Sequence, residues 1–261
     1  RRLTAMTPIP DPLPDLAPYV FAAALVFARL GAVLMLLPGF GEPGIPPRIR
    51  LAFALAFAAA LAPRIAPVLP DLPDQPGVMA GMVAIEALIG LMIGAAARLF
   101  LAASSVAGQI IGYQTGMAMA QAFDPAQGQS GALPATFLNL TFIVLLFATN
   151  LHHLLLEAAA NSYAMMPAGE APMWEDAALW ALSIFVDAFV IGVQLAAPLI
   201  VFGLVFYLGL GVLSRLMPQA QIFFIAMPLN ILIGFSIMAI ALGGMALVWL
   251  ERVERFAVTL S

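Results

Sequence analysis

The 261-residue sequence contains no cysteine and no lysine; all ten of its basic residues are arginine. Without thiols there is no disulfide and no thiolate metal site. The missing lysine reads as genomic base composition rather than chemistry. Charge of either sign is scarce: charged residues make up 9% of the chain and hydrophobic ones 63%. A soluble domain is about half apolar and about a quarter charged, so this chain must bury its surface in lipid or in other chains. No basic run suggests nucleic acid. A Ser-His-Asp set, a Gly-rich phosphate loop and an HExxH helix are all missing, as is the Gly-x-Ser-Gly of a rhomboid-type membrane protease. His152 and His153 are adjacent and point in different directions on a helix, which argues against one shared metal site. No enzyme, cofactor or metal centre is expected. The Pro- and Asp-rich stretch before Pro18 does not read as a cleaved signal peptide.

What the sequence does have is long apolar runs. Six segments (16–37, 49–69, 77–100, 133–150, 177–210 and 222–250) have the length and hydrophobicity of spans. They predict an all-α integral membrane-type protein. The second is weak, because Pro63 and Pro67 leave only 51–62 uninterrupted. Residues 151–166 carry His152, His153, Glu157 and Asn161, and read either as an amphipathic segment or as an extension of the fourth. The fifth and sixth are overlong, which tilt or protrusion accommodates. Pro198, Pro218 and Pro228 should bend them, and Arg215-Leu216-Met217-Pro218-Gln219 forms the polar tip of the resulting long hairpin. Placing Arg48, Arg50 and Arg215 on the cytoplasmic side leaves the acidic loops outside and, with six crossings, both termini outside.

Residues 108–131, GQIIGYQTGMAMAQAFDPAQGQSG, fit no lipid-facing helix. Gly108, Gly112 and Gly116 recur every fourth residue and would let another backbone approach along one helix face. Gln109, Gln114 and Gln121, then Asp124-Pro125 and a Gln/Gly/Ser loop, put polar backbone at membrane depth. Such backbone is tolerated only when buried in protein or lining water. Met117, Met119 and Phe123 have the flexible apolar character of a deformable seal, although methionine is common in this chain, at 14 residues. Gly90 and Gly94 offer a second close-packing face. Arg29, Glu86, Arg98 and Asp187 fall in or near apolar runs, where charge is costly and faces protein or water. They read either as an ion relay or as pairs holding helices together, and their scatter favours pairs. Arg98 lies near a predicted helix end, in position to snorkel.

Four segments together resemble one family. They are FARLGAVLMLLPGFGEPGIPPRIRLAFALA (27–56), AGQIIGYQTGMAMAQAFDP (107–125), NLHHLLL (150–156) and LGVLSRLMPQAQIFFIAMPLNILIG (210–234). They are similar to the FliR family of flagellar biosynthetic proteins and its injectisome counterparts, components of the type III export gate. The resemblance implies a chain that joins FliP- and FliQ-like subunits in a closed helical assembly. After a tail (1–15), a FliP-like part would cover 16–176 and a FliQ-like hairpin 177–261. It implies a channel plug formed by Ala118, Met119, Ala120, Gln121, Ala122, Phe123, Asp124, Pro125, Gly128 and Gly131, with Met117 leading into it. It places the turn of Arg215, Pro218 and Gln219 in the cytoplasm near an FlhB-like protein. It also implies FlhA-like components, rod or hook–basal-body proteins and exported unfolded polypeptides as partners, in the bacterial inner membrane at the flagellar basal body. The first cytoplasmic loop departs from some relatives in having no lysine. Three other readings remain open: a proton-coupled secondary transporter using Glu86 and Asp187, for which the inverted repeats expected are not evident; an injectisome gate subunit; and a scaffold without a gating role.

Overall fold

The computed structural model describes residues 16–117, 133–217 and 222–260. Among them every regular element is helical. The order is α1 (Ala17–Leu36), α2 (Pro47–Ile65) running into a 3-10 turn (Ala66–Val68), α3 (Pro76–Gln114), α4 (Leu133–Ala148), α5 (Leu151–Met165), α6 (Trp174–Leu216) and α7 (Ile222–Thr259). Proline stands in the first turn of α1, α2 and α3, where its fixed φ suits a helix start and its missing N–H is not needed. Glu175 and Asp176 open α6 and Arg215 closes it, each charge opposite to the helix dipole at its end.

Five of these helices are long and apolar enough to cross a membrane, or six if the bent pair α4–α5 counts as one span. The long ones exceed the sequence expectation. α3 continues beyond Phe100 to Gln114 and α7 beyond Leu250 to Thr259. At 1.5 Å per residue α3 is about 58 Å long and α6 about 64 Å, against a hydrocarbon core of about 30 Å. Pro63, Pro198 and Pro228 lie inside helices that continue through them. α2 therefore reaches span length despite its prolines: residues 47–68 form one apolar stretch of 22 residues. Of the two readings of residues 151–166, the extension is not what forms: they make a separate helix. Asn150 takes left-handed backbone, φ 59, and turns α5 by 76° from α4.

α3 is the spine, packing against α1, α4, α6 and α7. Midway along it the Trp249 indole of α7 donates to the Phe100 carbonyl at 2.7 Å and stacks on Phe142 of α4 at 4.9 Å between ring centroids. The outer faces stay apolar: Ile240, Leu216 and Leu247 are 85%, 73% and 70% exposed. Large side chains of this kind facing outward suit lipid or a neighbouring chain rather than water.

Candidate functional site: two polar nodes on the central helix

The first node lies where α3 crosses α1. A Cβ on Gly90 would fall on the carbonyl of Arg29, so only glycine lets the two backbones meet this closely. One turn before Gly90, Glu86 faces Arg29, and both side chains are wholly buried. The contact is bidentate: Arg29 Nε donates to Glu86 Oε2 at 2.7 Å and Nη2 to Oε1 at 3.0 Å. The remaining nitrogen, Nη1, donates to the Met166 carbonyl at 2.8 Å and more weakly to Ser162 Oγ at 3.4 Å. Glu86 Oε1 also accepts from the Gly169 amide at 2.9 Å. The guanidinium lies 3.9 Å above the Tyr163 ring, a stacked cation–π contact. Buried charge is tolerable only when paired and fully hydrogen-bonded, and this pair meets both conditions.

The second node is at the other end of α3, about 42 Å away by helix rise. Gly108 packs directly on the backbone of Ala135 in α4, where a Cβ would overlap its Cα and amide nitrogen. Past Gly112, which is buried, the helix stops. Thr115 Oγ1 folds back onto the Ile111 carbonyl at 2.8 Å. Gly116 follows at φ +76, a left-handed cap that glycine adopts without strain. Asn230 of α7, 3% exposed, donates through Nδ2 to the Gln114 carbonyl at 3.0 Å and to Tyr207 Oη of α6 at 3.3 Å. The Gln114 side chain lies against Gly203 of α6, and Thr115 Cγ2 against Gly234 of α7. Asn230 Oδ1 is buried with no hydrogen-bond partner among the described residues. The end of α3 is thus wedged between both C-terminal helices by small residues and one amide.

The expected site residues separate accordingly. Gly108 and Gly112 lie on the packed face of α3, but Gly116 leaves it, because its positive φ ends the helix. Arg98 does not snorkel from a helix end: it lies within the longer α3 and pairs with Glu42 of the α1–α2 loop. Asp187 is exposed on α6, and Arg215 is exposed in its last turn. Met117 follows the cap and is half-buried. The rings of His152 and His153 lie 4.0 Å apart between centroids and tilted by 37°, beside Phe147 at the α4–α5 bend. The tail 1–15, together with Ala118, Met119, Ala120, Gln121, Ala122, Phe123, Asp124, Pro125, Gly128, Gly131, Pro218 and Gln219, lies outside the described residues. Sequence reasoning missed Asn230, Tyr207 and Gly169. A lone asparagine inside the apolar run IFFIAMPLNILIG was the available signal, since an amide there needs an internal partner.

A chain whose described regular elements are all helical, with a largely apolar exterior and with Arg29, Glu86 and Asn230 buried at inner helix junctions, is an integral membrane-type helix bundle. A family profile described as "Bacterial export proteins, family 1" matches residues 20–256. The chain is 46% identical to the flagellar biosynthetic protein FliR of Caulobacter vibrioides, over 89% of this chain and 93% of that protein. It is 31% identical to FliR of Escherichia coli K12, over 81% and 80% respectively. It is 28% identical to the Yop proteins translocation protein T of Yersinia pestis, over 62% of this chain and 66% of that protein. The chain belongs to the bacterial export proteins, family 1, and is a membrane component of the type III export apparatus.

Proposed function

We propose that this chain is a subunit of a flagellar protein-export gate in the bacterial inner membrane, where with FliP- and FliQ-like subunits it forms the channel for unfolded substrates. The N-terminal part, 16–176, acts as the FliP-like unit and 177–261 as the FliQ-like hairpin, its Arg215–Pro218–Gln219 turn facing an FlhB-like protein in the cytoplasm, with FlhA-like components as further partners of the gate. Segment 118–131 serves as the plug that holds back ions at rest. The observation that carries this reading is the second node: one face of the entry to that segment packs on α4, α6 and α7 through glycine contacts and a buried amide, while Gln109 and Tyr113 stay exposed on the other face, open to a neighbouring chain. Met117, Met119 and Phe123 supply deformable apolar bulk, and Asp124-Pro125 sets the turn. A flagellar role is favoured over an injectisome role by the 46% identity to the Caulobacter protein. Proton coupling through Glu86 and Asp187 is disfavoured, because Glu86 is held by Arg29 and Gly169 while Asp187 lies exposed on another helix.

The test is deletion of 118–131 in the chain expressed with its partner subunits. The assembled complex should become leaky to small ions at rest, read as a collapse of membrane potential in cells or as dye flux in vesicles. An assembled complex that leaks no more than the parent refutes the plug.

A further inference from the structure

Residues 166–173 cross from the end of α5 to the start of α6 as a strap without regular structure. The Arg29–Glu86 pair engages this strap with both of its charges. The cation takes the strap's Met166 carbonyl, and the anion takes its Gly169 amide, three residues on. Between them Ala168 is buried, 7% exposed. Gly169 has φ +78, and a Cβ there would meet Pro70 of the α2–α3 loop at 3.0 Å and Met82 of α3 at 3.5 Å. Five residues after Gly169, α6 begins at Trp174.

We propose that the Arg29–Glu86 pair is a positioning device that clamps this strap and so sets where α6, and with it the C-terminal hairpin, starts on the N-terminal bundle. An ion pair that only joined α1 to α3 would not depend on which helix carried which sign. This one does. A carbonyl can satisfy only the donor side and an amide only the acceptor side, so the strap fixes the polarity of the pair. Exchanging the charges, R29E with E86R, would confront Met166 O and Gly169 N–H with the wrong partners and should leave the strap unseated.

The natural chain has no cysteine, so A168C gives this subunit a single buried thiol that reports whether the strap is seated. A103C on α3 reports the bundle core. Both are read as labelling rates of this chain within its native membrane complex, in parent, R29K and R29M/E86M backgrounds. R29K keeps a charge but loses the fork that reaches both Glu86 and Met166 O. R29M/E86M removes both charges, a replacement that buried pairs commonly tolerate. The proposal expects A168C to label about tenfold faster or more in R29M/E86M, equivalent to about 1.4 kcal/mol of lost closure, and to an intermediate degree in R29K. A103C should stay protected. A168C labelling as slow as in the parent, in either background that assembles, overturns it. Hydrogen exchange on the unsubstituted complex needs no variant to fold: the Gly169 amide should be protected while those of Glu170 and Ala171 exchange freely. A Gly169 amide exchanging as fast as its neighbours also overturns it.

Discussion

The two ends of the α3 packing surface solve one problem by opposite means. At Glu86 the contact is ionic, the Arg29–Glu86 fork is complete, and three elements are held in one geometry. At Gly108–Gly116 the contact is made by glycines and one asparagine, whose Oδ1 has no partner among the described residues. A buried ion pair has few alternative arrangements, since any movement strands a charge. A seam of small residues and neutral amides can shift at modest cost, because a net neutral hydrogen bond is worth about 1 kcal/mol. The spine is therefore anchored rigidly at one end and held adaptably at the other. The adaptable end is the one next to the proposed plug.

Breaking the rigid end should have the largest effect. E86Q or R29M alone strands one buried charge and should cost about 3–5 kcal/mol, read as loss of the subunit from membranes and a lower thermal aggregation temperature of what remains. R29M/E86M together should recover most of that loss; a double variant as unstable as either single one would contradict the account. Next comes G108L, which forces a side chain onto the Ala135 backbone. Overpacking of this kind costs about 1–3 kcal/mol, and more where backbone must move. Co-purification with partner subunits should fall while the chain still inserts. Third, N230L leaves the Gln114 carbonyl without its donor; at this part-buried contact the cost should fall at the low end of the ~1–3 kcal/mol of a stranded acceptor. N230D should be worse, because it sets a carboxylate against the negative end of the α3 dipole. Equal thermal shifts for the two would mean that the added charge does not feel the end of α3, and an N230L shift of zero would mean that the amide donor is not the operative contact. Smallest is E42A. The Glu42–Arg98 pair is partly open, with side chains 23% and 36% exposed, and its loss should stay below about 1 kcal/mol with no change in assembly.

The helical, membrane-type architecture was legible because apolar runs of span length leave few alternatives. Helix ends were not, for a physical reason visible at Ser104. Its hydroxyl bonds back to the Leu101 carbonyl at 2.6 Å, so a polar residue past Phe100 extends a protein-packed helix rather than ending it. The charged residues stood out in sequence, but Arg29 and Glu86 are 57 positions apart, and nothing local pairs them. The Met166 carbonyl and Gly169 amide that complete the node are main-chain groups, and residue identity does not say which partners they take. Gly116 shows the converse: its spacing suggested a third packing glycine, while its actual role, a positive φ, depends on where α3 stops. Asn230 was visible as an oddity, but its partner, a main-chain carbonyl 116 residues earlier, was not.

The 43-residue α6 has a consequence for how the chain must be made. A rod roughly twice as long as the oily layer is thick cannot be housed by lipid alone at the tilts that spanning helices adopt, up to about 40°. The part that projects still carries naked aliphatic side chains. A copy synthesised alone is expected to show that surface to water, so its yield should rise when chains able to cover it are expressed beside it.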